Sequence, residues 1–211
     1  MNKSEKFWDK QAEDYAKEQQ SIQLTDNKDF VNTLKYLNIN DMVLDYACGT
    51  GIVSNAVANK VREIHAIDIS SRMIEVAKRK ASERNIENIN YAQATIFDER
   101  YRKESFNVIL AFRILHMLED TQAVMHRINE LLKPGGVFIS VTTCMGEKKW
   151  AFLSILMFLA SKMRIVPQHI NMFKLSDLEG LLTMENFQIV ECERLEDSVP
   201  HYFIVAKKLS R

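Results

Sequence analysis

The segment VLDYACGTG at 43 to 51 and the aspartate at 68 are the residues best suited to chemistry in this chain. A glycine-rich turn at the carboxyl end of a strand lets the backbone pass close to a ligand. The helix expected next, IVSNAVANKV, offers unpaired N–H groups at its start. Roughly 20 residues on, HAIDIS ends a second strand with Asp68 at its tip, where a carboxylate can accept hydrogen bonds from both hydroxyls of an adenosine ribose. Strand, turn, helix, strand and acid in that order describe a nucleoside-cofactor site. The dinucleotide fingerprint G-x-G-x-x-G/A is not matched, since Ser54 holds its third place and Ala47 stands two before Gly49, and no Gly-Lys-Ser/Thr follows to make a P-loop. Asp45, an acid inside the turn, would repel a pyrophosphate and suits a ligand bearing an ammonium group. S-adenosylmethionine, with its sulfonium, amino group and ribose, meets these requirements.

Such a site needs parallel strands to carry it. Apolar runs with β-branched character occur at Met42 to Leu44, Ile64 to Ile67, Ile89 to Ala92, Val108 to Ala111 and Val137 to Val141. Their spacing leaves room for a crossover helix between each pair. Ser71 is expected to cap a helix through Ile74, Ala77 and Ala81, ending near Asn85. Asp120 is expected to cap another, with Val124, Ile128, Leu131 and Leu132 as one apolar stripe, stopped by Pro134 and the Gly135–Gly136 pair. The alternation predicts an open, mostly parallel, doubly wound α/β sheet. After a helix from Ser176 to Glu185, strands near Phe187 to Arg194 and His201 to Ala206 lie too close for a crossover, so LEDSVP makes an antiparallel hairpin.

The remaining composition narrows the function. The 211 residues carry 28 basic and 28 acidic side chains, which leaves no electrostatic footprint for a nucleic-acid polyanion. The length fits one domain over residues 1 to 211. Cys48, Cys144 and Cys192 show neither disulfide nor zinc spacing, five histidines add no metal pattern, and the N-terminus lacks a signal-peptide core, so a cytoplasmic setting is expected. The apolar stretch Trp150 to Val166 is interrupted by Ser161, Lys162 and Arg164 and is too short to span a bilayer. It reads as a buried or interfacial helix without stable membrane insertion.

The motifs D-x-A-x-G-x-G at 45 to 51, I-D-I-S at 67 to 70, NVILAFRILHML at 107 to 118 and LLKPGG at 131 to 136 resemble, in order and spacing, those of the class I S-adenosylmethionine-dependent methyltransferases. FWDKQAEDY at 7 to 15 is similar to the opening of their small-molecule branch, which includes the ubiquinone-biosynthesis type. The resemblance covers almost the whole chain. It implies a Rossmann-like sheet of seven strands with an antiparallel last strand, a helical lid over residues 1 to 30 and an inserted helical cover at 145 to 172. It further implies that Asp45 and the backbone of Ala47, Gly49 and Gly51 surround the methionine portion, that Asp68 holds the ribose and that Ile69 packs on the adenine. Thr95, beside Ile96, stands where the family commonly has an acid for the adenine amino group. Ala47 replaces a common glycine, which is tolerated at negative φ. Ala111 and Phe112 would face the methionine portion, and Tyr15 would close over its carboxylate.

Methyl transfer from a sulfonium is an in-line displacement that needs alignment more than acid or base. If a base exists, His116 is the first candidate, with His169 and His201 also able to reach the mouth. The Asn/Asp-Pro-Pro-aromatic sequence of nucleic-acid-modifying relatives is replaced here by Leu110-Ala111-Phe112-Arg113, which favours a small acceptor. Phe152, Leu156, Phe158 and Leu159 would make that acceptor hydrophobic if their helix lines the pocket. The same helix could instead pack on the sheet, on a second subunit as a homodimer, or on a membrane surface. A regulatory protein that binds the cofactor without transfer, and a nicotinamide-dependent oxidoreductase, are the alternative functions.

Overall fold

The computed structural model describes residues 3–20, 28–147, 150–162, 169–195 and 199–209. The strands are β1 (Met42–Tyr46), β2 (Glu63–Asp68), β3 (Ile89–Gln93), β4 (Phe106–Phe112), β5 (Leu132–Thr143), β6 (Phe187–Arg194) and β7 (His201–Lys208). They form one seven-stranded sheet in the order β3-β2-β1-β4-β5-β7-β6. The first five strands pair in parallel, and β7 runs antiparallel between β5 and β6. Each apolar run of the sequence therefore becomes a strand, and the final hairpin supplies the reversed one. Residues 196–198 of its link lie outside the described residues.

Helices α3 (Ile52–Val57), α4 (Ser71–Glu83), α5 (Thr121–Leu131) and α7 (Leu175–Met184) cover the two faces, with α1 (Lys3–Gln20) and α2 (Lys28–Leu34) ahead of them and α6 (Ala151–Lys162) between β5 and α7. Successive residues of a strand point to opposite faces. Val43, Val108 and Leu110 thus join Val57, Ile74 and Ala77 in one core. Leu44, Ile109 and Ala111 join Val124, Ile128, Leu131, Leu178 and Leu182 in the other. Burial on both faces is why these strands read as unbroken apolar runs.

The cap of α4 is Ser70, not Ser71. Ser70 has extended backbone, φ −86° and ψ 119°, so its hydroxyl can turn back to accept from the Met73 N–H at 3.1 Å, whereas Ser71 is already helical. Asp120 caps α5 as expected, accepting from Ala123 N–H at 2.8 Å. That helix ends at Leu131, one residue short of the expected stripe, because Leu132 already lies opposite Phe106 in β5.

α1 lies across α4. Ser70 Oγ donates to Asp9 Oδ1 at 2.6 Å, Arg79 meets Glu13 at 3.5 Å and Gln93 Nε2 donates to Glu5 Oε1 at 3.2 Å. Asp9 thereby places a carboxylate against the N-terminus of α4, where the helix dipole favours negative charge. In α6 the described side chains of Phe152, Ile155, Leu156 and Leu159 are exposed, so that face of the helix is not buried against the sheet. The expected continuation through residues 163 to 166, and the side chain of Phe158, lie outside what is described.

Candidate active site

The turn after β1 winds through three residues in the left-handed region: Ala47 at φ 59°, Gly49 at 54° and Gly51 at 72°. The condition under which an alanine is tolerated at 47, a negative φ, is therefore not met. The turn must reverse tightly enough for Cys48 N–H to reach Ile67 O at 3.0 Å, and an alanine in this region costs about 1 kcal/mol. Gly49 faces Tyr15 of α1, and a Cβ there would lie 3.8 Å from the tyrosine ring. Gly51 opens α3 and faces the other way, pressed against Ala77 and Tyr91.

Asp68 ties the turn to the tip of β2. Its Oδ2 accepts from Gly49 N–H at 3.0 Å and its Oδ1 from Ser70 N–H at 2.9 Å. Burial pushes its pKa up even though those N–H groups pull the other way, and Asp9 adds to the rise. The carboxylate has lone pairs left for a ligand, and it sits in the wall of a cavity of about 670 Å³.

That cavity gathers Tyr15, Ala47, Gly49, Asp68, Ile69, Thr95, Phe112 and His116. It does not gather all the expected residues. Asp45 lies beneath the turn, 2% exposed, accepting the Ser54 hydroxyl at 2.5 Å, because it shares the inward face of β1 with Val43. Gly51, Ile96 and Ala111 are also behind the wall, the last two fully buried in the core on the α5 side. Phe97, one residue beyond Ile96, points into the cavity instead.

The wall also contains residues that the motifs did not single out: Trp8, Met73, Ile114, Met117, Leu118 and Val124. Trp8 stacks edge-on with Tyr15 at 6.1 Å between ring centres, so α1 brings both rings over the turn. The signal for Trp8 was its place on the same helix face as Tyr15, seven residues or two turns earlier. The Ile114 to Leu118 segment follows β4, and Asn171 anchors it by donating Nδ2 to Leu118 O at 2.7 Å and its N–H to His116 O at 2.6 Å.

His116 lies in a 3-10 turn at Leu115–Met117, and its Nδ1 has no hydrogen-bond partner among the described residues. Burial pushes its pKa down to about 4, helped by His201 and Arg113, so the ring is neutral at pH 7. His169 and His201 also line the cavity, but His169 pairs with Asn171 Oδ1 at 3.1 Å and His201 Nδ1 faces Val199 O at 2.9 Å. None of the described side chains of α6 lines the cavity; among the described residues of the expected 145 to 172 cover, His169 reaches its wall.

Desolvation raises the Asp45 pKa from 3.8 to about 6, with Asp68 contributing. For an acid whose folded pKa is raised, stability is highest below the unfolded value and falls as pH rises from about 4 to 6. Above that window the buried charge costs about 3 kcal/mol. Asp45→Asn keeps an acceptor for Ser54 and removes the charge. Urea unfolding of the unliganded protein should therefore show the variant more stable by about 2 kcal/mol at pH 8 and close to wild type at pH 4; lower stability at pH 8 would contradict this account.

Solved structures share the architecture. The YcgJ protein from Bacillus subtilis superposes with a TM-score of 0.74 at 17% identity, over 87% of this chain and 99% of that one. Geranyl diphosphate C-methyltransferase from Streptomyces coelicolor gives 0.69 at 14%, over 85% and 77%. The [4+2]-cyclase SpnF gives 0.71 at 15%, over 86% and 80%. At these identities the likeness is one of fold. Ubiquinone biosynthesis O-methyltransferase from Pasteurella multocida is 34% identical over 123 residues, 54% of this chain and 50% of that protein. Its counterpart from Erwinia tasmaniensis is 30% identical over 109 residues, 51% and 44%. The chain thus spans about half the length of the curated relatives it matches. A family model described as a methyltransferase domain matches residues 37–193, from the loop before β1 to the end of β6, and the chain belongs to that methyltransferase family.

Proposed function

We propose that the chain transfers a methyl group from S-adenosylmethionine to a hydroxyl on a small, apolar molecule. One observation carries this reading. A single cavity runs from the carboxyl ends of β1 and β2, where Gly49 and Asp68 lie, to the segment after β4 with Ile114, Met117 and Leu118. Its volume is within the usual range for small-molecule sites.

The residues present fit the cofactor. Asp68 offers two carboxylate oxygens to ribose hydroxyls, and Gly49 leaves the turn bare where a side chain would meet Tyr15. Ile69 and Phe97 flank the position for an adenine, with Thr95 between the strand and Phe97 as a hydrogen-bonding group. Asp45 acts from below the turn, setting a negative potential under a cationic ligand rather than touching it. S-adenosylmethionine supplies an electrophilic methyl on a sulfonium, a good leaving group. The chain's part is alignment and exclusion of water: Trp8 and Tyr15 cover the turn, and the apolar segment after β4 holds the acceptor. His116, neutral and in the cavity wall, accepts the hydrogen bond of the acceptor hydroxyl and fixes its lone pair toward the methyl.

The O-methyltransferase relatives support a hydroxyl as the nucleophile, and the enclosed cavity supports a small acceptor over nucleic acid. The three cysteines, free among the described residues, support a reducing, cytoplasmic setting. Because the same fold carries a [4+2]-cyclase, transfer itself needs a direct test. Incubation with methyl-labelled cofactor and a panel of apolar phenols and alcohols should place label on oxygen. Binding of the cofactor with no transfer to any member, or to acceptors in cell extract, would overturn the proposal in favour of a binding protein.

A further inference from the structure

Arg113 directly follows β4, and its side chain lines the cavity. Its backbone lies in the left-handed region at φ 57°, a conformation that is costly for a residue with a Cβ and free for glycine. The Arg113 N–H holds the turn there by donating to Val141 O of β5 at 2.7 Å. What an arginine adds at such a position is its guanidinium. That group carries five N–H donors in a planar fork, yet among the described residues it makes one hydrogen bond, from Nη2 to Asp29 Oδ2 at 3.5 Å, and the side chain stays 45% exposed. Most of its donors face the cavity without a protein partner among those residues.

The surroundings set this cation apart from the cofactor half of the cavity. Asp29 belongs to α2, which is tied to β6 by Asn32 Nδ2 donating to Glu193 Oε2 at 2.7 Å. Thr143 at the end of β5 and His201 at the start of β7 pair across the sheet, and both line the cavity. In the strand order, β5, β7 and β6 all lie on the side of β4 away from Asp68. Asp68 is on β2, with β1 between, two strand spacings or about 10 Å from β4. The other acids of the wall are Glu119, which is exposed, and Asp120, which is engaged in capping α5. Between them and Arg113 stand the apolar Ile114, Met117 and Leu118. His116 in the same segment is held neutral by burial, with His201 and Arg113 helping, so it adds no second cation.

We infer that Arg113 determines specificity by binding a carboxylate on the methyl acceptor, whose apolar body lies along Ile114, Met117 and Leu118. The inference rests on the proposed methyl transfer and narrows its acceptor from an apolar molecule to an apolar acid. One guanidinium and a neutral imidazole match a single negative charge. A carboxylate presents that charge on two oxygens, which the planar fork takes up through parallel N–H bonds. Asp29 keeps the fork in place from the α2 side, because its other oxygen is already fixed by the Phe30 N–H at 2.8 Å.

The full chain, in the presence of the demethylated cofactor, is titrated with aryl and alkyl hydroxy acids of graded length, each paired with its primary amide. Wild type should bind the best acid about tenfold or more tightly than the matching amide. Arg113→Gln should erase that preference while cofactor affinity stays within about twofold, and Arg113→Lys, which keeps the charge without the fork, should retain part of it. Equal affinity for acids and amides, or no binding of either across the panel, would overturn the inference and leave Arg113 as a tie between α2 and β4. A loss of cofactor affinity in Arg113→Gln would overturn it as well, by assigning the guanidinium to the methionine carboxylate. Transfer of labelled methyl is scored separately on the same panel. Acid-selective binding without label would remove the transfer and keep the carboxylate site, whereas label on amides as readily as on acids would remove the site and keep the transfer. If the glutamine variant fails to fold, the comparison of acid with amide in wild type decides.

Discussion

Asp68→Ala is expected to weaken S-adenosylmethionine binding by about 100-fold while leaving the melting temperature of the unliganded protein nearly unchanged. Two opposing effects set the second expectation. The variant frees the Gly49 and Ser70 N–H groups that the carboxylate now satisfies, which destabilises the turn. It also removes a buried charge whose ionised form is disfavoured by desolvation and by Asp9. Affinity has no such compensation. Charge-assisted bonds to two ribose hydroxyls contribute about 1.5 kcal/mol each or more, and about 3 kcal/mol corresponds to roughly 100-fold. Asp68→Asn, which keeps one acceptor oxygen, should fall between. Equilibrium dialysis with labelled cofactor measures the loss, and unchanged affinity would remove Asp68 from the site.

Gly51→Ala is expected to give the largest loss of stability, about 3 kcal/mol. The residue sits at φ 72°, so an alanine incurs about 1 kcal/mol for the left-handed backbone. Its Cβ would also lie 2.9 Å from the Ala77 methyl and collide with the Tyr91 hydroxyl. Neither neighbour can retreat easily, since Ala77 is on the buried face of α4 and Tyr91 donates its hydroxyl to Asn55 Oδ1 at 3.0 Å. Overpacking of this kind typically costs about 1–3 kcal/mol. For a domain of this size the sum lowers the melting temperature by roughly 6–12 °C. Gly180→Ala in α7 is the contrasting control. Nothing lies within 4 Å of its Cβ position, so helix propensity alone should stabilise the protein by up to about 1 kcal/mol. A melting temperature for Gly51→Ala within a degree or two of wild type would refute the packing argument.

The contrast between the two glycines of the turn shows where the sequence was legible. Both were marked by their place between a strand and a helix, but only Gly49 faces the cavity; Gly51 is spent on packing α3 against α4. The strands were readable because burial on both faces leaves nearly continuous apolar runs, and the final hairpin because no crossover fits between β6 and β7. Asp68 was readable because a strand tip has one position. Which face of β1 or β4 a side chain takes depends on the sheet's pairing. This is why Asp45 and Ala111, expected beside the ligand, lie behind the wall; in the turn after β3 it is Ile96 that enters the core and Phe97 that reaches the cavity. Leu118 enters the site through the loop that Asn171 anchors, a contact that no local pattern encodes, and helical spacing pairs Trp8 with Tyr15 but does not encode the packing of α1 that brings them over the turn. The outward stripe of α6 was ambiguous for the same reason: periodicity marks an apolar face and not what that face meets.

The central claim is that the cavity above Gly49 and Asp68 takes a sulfonium-bearing nucleoside. Titration calorimetry of the wild-type chain tests it most directly, with S-adenosylmethionine, its demethylated product and NADH as separate ligands. The account predicts binding of S-adenosylmethionine at one site per chain, competition by the product, and no heat from NADH. No binding of S-adenosylmethionine, or saturable binding of NADH in its place, would contradict it.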